Sequence, residues 1–290
     1  MIIGNNRPAV IDNIRQAAES GEYYAKVELD DPVLTPEQSA AIIDRYLRGR
    51  TRRSYRLKNF AARRLANAAT TLFNRDTAIV GMEKIAGVTG GAILTSNHFS
   101  PLDNTVVRRF TRAAGKKRLC IVSQESNLAM PGMLGFLMNY ADIIPISDDM
   151  HYMQGQFLQT LRELTDRGEW VLIYPEQEMW FNYRKPRPPK RGAFYFAAKL
   201  NVPVICCFVE IRDLADMDTE QFHKVRYTLH ILDVLTPDPG KSVRENSIAM
   251  SQRDYELKKE AYQRIYGKAL DYDFEDSDIA GWLGSGAVES

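Results

Sequence analysis

The chain is poor in cysteine and histidine, nearly neutral overall and without a long apolar run, and each scarcity closes off a class of protein. Its three cysteines, Cys120, Cys206 and Cys207, in 290 residues are too few and too badly spaced for a disulfide framework. Adjacent Cys206 and Cys207 would point to opposite faces of a strand, so all three read as reduced, buried thiols of a cytosolic chain. The four histidines, His98, His151, His223 and His230, show no metal-ligand spacing, and no metal is expected. A net charge of +1 gives no argument for nucleic acid as a partner. The most apolar stretch, Leu128 to Ile146, is interrupted by Pro131, Gly132, Gly135, Asn139 and Asp142, too broken for a simple bilayer crossing. The opening residues MIIGNNRPAVIDNIRQ lack the apolar run of a secretory signal. A G-x-S-x-G elbow is absent, which argues against a serine hydrolase. Gly87-Val88-Thr89-Gly90-Gly91-Ala92 precedes a strand instead of opening a helix, which argues against dinucleotide binding. The expectation is a cytoplasmic chain whose membrane contact, if any, is peripheral.

What is present describes a compact enzyme-sized body. With 44% hydrophobic and 26% charged residues, disorder, collagen and coiled coil are excluded as global descriptions, and one large domain is the simplest reading of the length. Charge is unevenly spread: Arg45 to Arg75 carries arginines and lysines throughout with no Asp or Glu, whereas Asp271 to Asp278 is acidic. The first forty residues read as short helices with breakers at Asp31-Pro32 and Thr35-Pro36. Thr35, before Pro36, Glu37 and Gln38, starts a helix running to about Arg48. From Tyr55 to Phe73, Leu57, Phe60, Ala61, Leu65, Ala68, Ala69 and Leu72 recur at helical spacing, with Arg63 and Arg64 on the other side. That pattern predicts a basic amphipathic helix.

Beyond Asp76 short apolar runs alternate with helical segments. The strand candidates are Ala92 to Ser96, Arg118 to Ser123, Ile143 to Ile146, Trp170 to Tyr174, Val204 to Glu210 and Arg226 to Val234. Helices are expected over Asp103 to Ala114, Pro131 to Tyr140, Met150 to Asp166, Phe194 to Leu200 and Ser251 to Tyr266. Alternation of this kind predicts an α/β fold with helices packed on the faces of a sheet. Three regions follow: an N-terminal helical, basic, membrane-facing segment (1–75), a catalytic domain (76–270) and an acidic, Gly-rich tail (271–290) that frays from Gly281.

Three short elements carry chemistry. Asn97-His98-Phe99-Ser100-Pro101-Leu102-Asp103 follows a strand, where α/β enzymes present their reactive groups. Histidine can take a proton from an alcohol near neutral pH and return it, and a carboxylate on its other ring nitrogen fixes tautomer and orientation. Pro101 favours a turn that folds Asp103 back toward His98. By spacing alone, a turn histidine and a helix-capping Asp103 fit as well. Tyr174-Pro175-Glu176 ends another strand, with an exposed Glu in a turn as its plainer reading. Lys190-Arg191-Gly192 precedes a helix whose N-terminal amides favour anions, and Arg184, Lys185 and Arg187 lie just upstream among prolines.

Taken in this order the three elements resemble the H-x4-D, P-E and K-x-G-x-x-x-x-A blocks, the last followed by V-P, of the glycerophospholipid acyltransferase superfamily of PlsC type. The resemblance covers about Ile79 to Val234. It implies an α/β fold with a central mixed sheet flanked by helices, like that of glycerol-3-phosphate acyltransferase. It also implies transfer of a fatty acyl group from acyl-CoA or acyl-ACP to a lipid hydroxyl, with no cofactor beyond that co-substrate. His98 would deprotonate the acceptor and Asp103 orient it, with no covalent acyl-enzyme. Pro175 and Glu176 would shape the acceptor pocket, Glu176 binding a hydroxyl or bracing the loop, and Asn97, Ser100 and Gly192 would join the substrate contacts. Two blocks depart from the pattern. P-E-G-T-R is here Pro175-Glu176-Gln177-Glu178-Met179, and the block like F-I-D-R is Ile143-Ile144-Pro145-Ile146-Ser147-Asp148, so two phosphate-contacting arginines are missing. Arg184, Lys185, Lys190 or Arg191 would have to replace them, or the acceptor is a glycolipid or another alcohol. A thioester or lipid-ester hydrolase using the same His and Asp, and a non-catalytic lipid-binding protein, stand as the alternatives.

Overall fold

The structure, a computed structural model, describes residues 6–29 and 32–284. Asp31 and the last part of the expected tail, 285–290, lie outside the described residues. Among these residues seven strands form one sheet: β1 (Ala78–Val80), β2 (Ala92–Thr95), β3 (Leu119–Gln124), β4 (Ile143–Ile146), β5 (Trp170–Leu172), β6 (Val204–Thr219) and β7 (Phe222–Leu235), hydrogen-bonded in the order β1-β7-β6-β2-β5-β3-β4. Every pairing is parallel except that of β6 with β7, so the sheet is mixed, as the resemblance implies. The central strands β2 and β5 are buried along their whole length, the pattern of parallel strands covered on both faces.

Alternate residues of the strands feed two cores. Ala92 and Leu94 of β2 face α4 (Asp103–Ala113) through Val106, Val107 and Phe110. Ile93 faces α8 (Gly192–Leu200) and α9 (Val243–Tyr266) through Phe194, Ala197, Met250 and Leu257. Cys207 belongs to the first core and Cys206 to the second, and all three cysteines are free and buried. A third cluster joins α1 (Arg7–Glu19), through Val10, Ile11 and Ile14, to Trp180, Phe181, Tyr183, Phe222 and Ile279. Residues 271–284, which the sequence groups with the tail, are thus partly packed: Ile279 and Ala280 are buried, and Asp278 pairs with buried Lys185 at 2.9 Å.

Three elements run beyond their expected bounds. The hairpin of β6 and β7 continues through charged residues such as Arg212, Asp213 and Arg226, because backbone pairing holds a ribbon whose side chains show no apolar run. Helix α9 begins at Val243, well before Ser251, behind a capping box in which Ser242 and Glu245 satisfy each other's backbone N–H groups. The short edge strand β1 has no counterpart among the expected strands.

Helix α3 (Arg53–Phe73) packs in an inverted sense. The residues it buries are Asn59, Ala62 and Thr70, and Asn59 docks the helix through Nδ2 to the Tyr140 carbonyl (2.7 Å) and to Asp142 (2.9 Å). Its apolar stripe points outward: Leu57 is 73% exposed, Phe60 57% and Leu72 74%. Arg64 does not lie on the opposite side but stands beside the stripe, its guanidinium over the Phe60 ring. Helix α2 (Pro36–Gly49) precedes it, and α5 (Gly132–Tyr140) adds exposed Met133 and Leu134.

The C-terminal end of β2 is pinned from below by a buried ion pair. Thr95 Oγ1 donates to Asp254 Oδ1 at 2.6 Å, and Lys258 Nζ donates to Asp254 Oδ2 at 2.8 Å. Burial works against the ammonium, but the charge and hydrogen bond of Asp254, with the charge of Glu176 beside them, together hold Lys258 above its ordinary value. Removing one member of such a pair leaves an uncompensated buried charge. Asp254→Ala is therefore expected to lose about 3–5 kcal/mol in chemical denaturation, and Asp254→Ala with Lys258→Met to recover most of it. Equal losses in the single and double variants would show that the pair does not behave as a unit.

Candidate active site

The parallel pairing of β2 with β5, in register at Leu94 and Leu172, sets two chain segments side by side that lie far apart in sequence. Asn97 and His98 leave the end of β2, and Tyr174, Pro175 and Glu176 leave the end of β5. Asn97 is a strut between β2 and β6: its amide donates to the Val209 carbonyl at 3.0 Å and accepts from the Val209 N–H at 2.8 Å. Both ends of the side chain are thereby committed to β6, and the residue is buried.

Asp103 opens α4, and the turn through Pro101 returns its carboxylate to the histidine. His98 Nδ1 and Asp103 Oδ2 are 2.7 Å apart. The same oxygen accepts the N–H groups of Phe99 (2.9 Å) and Ser100 (3.3 Å), and Oδ1 accepts the Tyr174 hydroxyl at 2.6 Å. A carboxylate surrounded by donors is an acceptor toward the ring, so Nδ1 carries the proton and Nε2 keeps its lone pair. The imidazole is stacked on the Tyr174 ring, with centroids 4.0 Å apart and planes 11° from parallel. Its side chain retains 22% exposure. Burial first, and then the charge of Asp103, pushes the Tyr174 phenol well above its ordinary value, so it stays a donor. Tyr174 touches both members of the pair, and its role could not be read from a strand-ending tyrosine.

Glu176 braces the site. It is buried, and its carboxylate accepts from the His98 backbone N–H (3.2 Å), the Arg187 backbone N–H (3.1 Å) and Arg187 Nη2 (3.1 Å). Arg187 donates further to the carbonyls of Tyr23 (2.9 Å) and Glu178, tying the segment after α1 into the same knot. Burial lowers the Arg187 guanidinium from its ordinary value, with Glu176 opposing the shift. Among the basic residues of this loop no local signal marks Arg187 as the one that pairs with Glu176. The backbone seals the arrangement, with Trp180 N–H donating to the His98 carbonyl (3.1 Å) and Asn182 N–H to that of Phe99 (2.8 Å).

The remaining candidates divide. Arg184 pairs with Asp213 and donates to the Ser277 carbonyl. Buried Lys185 is held by Asp271 and Asp278. Asp213 of β6 thus engages Arg184, and Asp271 and Asp278, toward the C-terminal end, engage Lys185. Lys190 and Arg191 stay exposed, just before α8, and the Lys190 N–H donates to the Pro175 carbonyl at 2.7 Å, so these two stand beside the Pro-Glu loop. The Lys190 ammonium sits 3.6 Å from the Tyr24 ring centroid. Ser100 accepts the Leu102 N–H through its hydroxyl at 3.3 Å. Gly192 begins α8 in open space, so the fold does not demand a glycine there. Gln177 adopts φ 65°, the left-handed conformation that favours glycine, at the position where the superfamily block carries one. Among the described residues no three His, Cys, Asp or Glu side chains gather as a metal site.

Residues 76–210 match the family model described as Acyltransferase, a span that contains His98, Asp103, Glu176 and Lys190. Among solved structures, the 1-acyl-sn-glycerophosphate (LPA) acyltransferase PlsC from Thermotoga maritima aligns with a TM-score of 0.51 and 16% identity, covering 91% of this chain and 98% of that one. At this identity the likeness establishes the fold. Comparison with curated proteins gives no match.

A hydrogen bond to a charged group contributes about 1.5–3 kcal/mol, and Tyr174→Phe is expected to lose that much in urea denaturation. Because the Tyr174 phenol is held protonated, the variant should also leave unchanged the number of tyrosines that ionise near pH ~10 in ultraviolet difference titration. One fewer ionising tyrosine would contradict the bond to Asp103.

Proposed function

We propose that this chain, an acyltransferase of the superfamily its motifs resemble, moves a fatty acyl group from acyl-CoA or acyl-ACP to a lipid hydroxyl, with His98 as general base. The observation that carries the reading is the orientation of His98, with Nδ1 on Asp103 and the ring on Tyr174, which suits the neutral tautomer whose lone pair is on Nε2. Nε2 takes the acceptor proton as the alkoxide attacks the thioester carbonyl. The tetrahedral intermediate collapses with loss of the C–S bond, and the thiolate leaves with the proton from His98. Asp103 stabilises the imidazolium between the two transfers. Base catalysis of this kind is worth roughly 10²- to 10⁴-fold in rate.

A phosphate-free acceptor, such as a glycolipid, is the second reading, and the fate of Arg184 and Lys185 favours it. Both are paired with carboxylates, Arg187 is buried behind Glu176, and only Lys190 and Arg191 remain to receive a phosphate from donor or acceptor. Transfer from labelled acyl-CoA and acyl-ACP into a lipid panel containing lysophosphatidic acid and monoacylated glycolipids, read by mass spectrometry, tests both points. A labelled acyl lipid should form with wild type and fall at least about 10²-fold with His98→Ala. Free fatty acid without acylated lipid would favour the hydrolase, and equal products from wild type and variant would remove His98 from the mechanism.

The lipid acceptor implies a membrane surface, and α3 suits one. No helix among the described residues is long and apolar enough to cross a bilayer. A stripe from Leu57 to Leu72, exposed on a helix rich in arginine, suits interfacial burial with its cations near anionic headgroups. We place the chain at the cytoplasmic face, where anionic lipids are abundant and free thiols stay reduced. The triple variant Leu57→Ser, Phe60→Ser, Leu72→Ser should keep its thermal stability and lose flotation with anionic vesicles. Flotation equal to wild type would exclude the stripe as the docking element.

A further inference from the structure

Two clefts flank the N-terminal half of α3, and neither has a carboxylate in its lining. The first, of about 440 Å³, lies between α3 and the end of α4, walled by Phe60, Arg63, Arg64, Arg112, Lys116 and Lys117. The second, of about 410 Å³, lies between the end of α2, the start of α3 and the end of α5, and is lined by Arg45, Arg48, Arg52 and Lys58 together with Tyr46 and Tyr55.

Much of this charge is positioned without being neutralised. Arg112 donates to the Asn67 carbonyl and Thr71, Lys116 to the carbonyls of Gly90 and Gly168, Arg45 to that of Leu128, and Lys58 to the Tyr140 hydroxyl. Two cations do meet carboxylates, Arg63 with Asp142 and Arg48 with Asp44. Arg64 lies over Phe60, and the side chains of Arg52 and Lys117 have no hydrogen-bonded or ionic partner among the described residues.

We infer that the two clefts bind the phosphate-bearing headgroups of anionic phospholipids while the stripe between them enters the acyl layer of the same leaflet. This rests on the membrane reading above and adds to it two discrete sites in place of a diffuse basic surface. Three observations favour a bilayer over an acidic protein. Cations on both sides of an apolar stripe match a leaflet, in which phosphates lie above acyl chains. Leu57 and Leu72 project from the surface and line neither cleft, as side chains entering an acyl layer would, whereas a partner helix of about 10 Å would need apolar walls to seat it. Each cleft has the size of a small-ligand site, roughly 300–1,000 Å³. Nor is the first cleft an acceptor subsite of the reaction. Arg112 and Lys116 lie at the far end of α4 from Asp103, about 16 Å away along an 11-residue helix. Lipids held there would orient the chain, because α3 runs from the clefts toward the catalytic end, where Asn74 Nδ2 donates to Thr105 Oγ1 at 2.7 Å.

The test is flotation of the full chain with vesicles of phosphatidylcholine alone or mixed with phosphatidylglycerol. It compares wild type with Arg64→Gln/Lys117→Gln, with Arg48→Gln/Arg52→Gln, and with the charge-matched control Lys199→Gln/Arg244→Gln on exposed positions of α8 and α9. Each cleft variant should lose about tenfold or more in its preference for the anionic vesicles, while the control keeps that of wild type. Cleft variants indistinguishable from the control would overturn the two sites and leave stripe docking intact. Absence of wild-type flotation would overturn the membrane reading and the sites together. Cleft variants that float like wild type but no longer bind acyl carrier protein would assign the surface to an acidic protein and overturn the proposal.

Discussion

A carboxylate in an apolar interior must be paired and hydrogen-bonded, and Glu176 meets that demand by gathering the segments that build the site. Its oxygens take the His98 N–H, the Arg187 N–H and the Arg187 guanidinium. That guanidinium in turn holds the Tyr23 and Glu178 carbonyls. The ends of β2 and β5, the proline-rich basic loop and the segment following α1 are thereby fixed relative to one another. Breaking a buried pair of this kind is more damaging than never having had it, so the knot constrains every residue that meets at His98.

On that frame the His98–Asp103 pair is supported from two directions. Asp103 lies at a helix N-terminus, where its charge is favoured, and receives Phe99, Ser100 and Tyr174 as donors, while the imidazole rests on the Tyr174 ring. The side chains that fix the His98 ring come from the segment that follows β5 and from the first residue of α4. The loop after Glu176 is less charged than its sequence suggests, because Arg184 is tied to Asp213 of β6 and Lys185 to Asp271 and Asp278. At the outer surface α3 reverses the usual rule for a packed amphipathic helix: small and polar residues face the body and the apolar stripe faces out.

Legibility followed the range of the interaction involved. The strands Ala92–Thr95 and Ile143–Ile146 and the helices Pro36–Gly49 and Asp103–Ala113 announce themselves through apolar runs, periodicity or caps that lie within a few residues. The start of α9 carried a local signal that the expected bound at Ser251 passed over, the capping box of Ser242 and Glu245 ahead of the more obvious periodic stretch. The extension of β6 and β7 was not, since the polar residues there pair through backbone groups that every sequence has. Around the site, His98 and Asp103 are five residues apart, close enough for a local turn to join them. Asn97 and Arg187 turned out to be braces, because their partners, Val209 and Glu176, are brought to them only by the sheet.

The sequence by itself determined the alternation of strands and helices, the His–Asp spacing, the proline-bounded basic loop and the excess of cations from Arg45 to Arg75, since each is a property of neighbouring residues. Only the tertiary structure decided which cations are buried in pairs and which remain free, that Tyr174 supports both His98 and Asp103, and which face of α3 meets the surroundings. Periodicity defines a stripe on a helix but not the direction in which it points. That direction depends on what the opposite face can bond, and here Asn59 and Thr70 found buried places against the body of the protein.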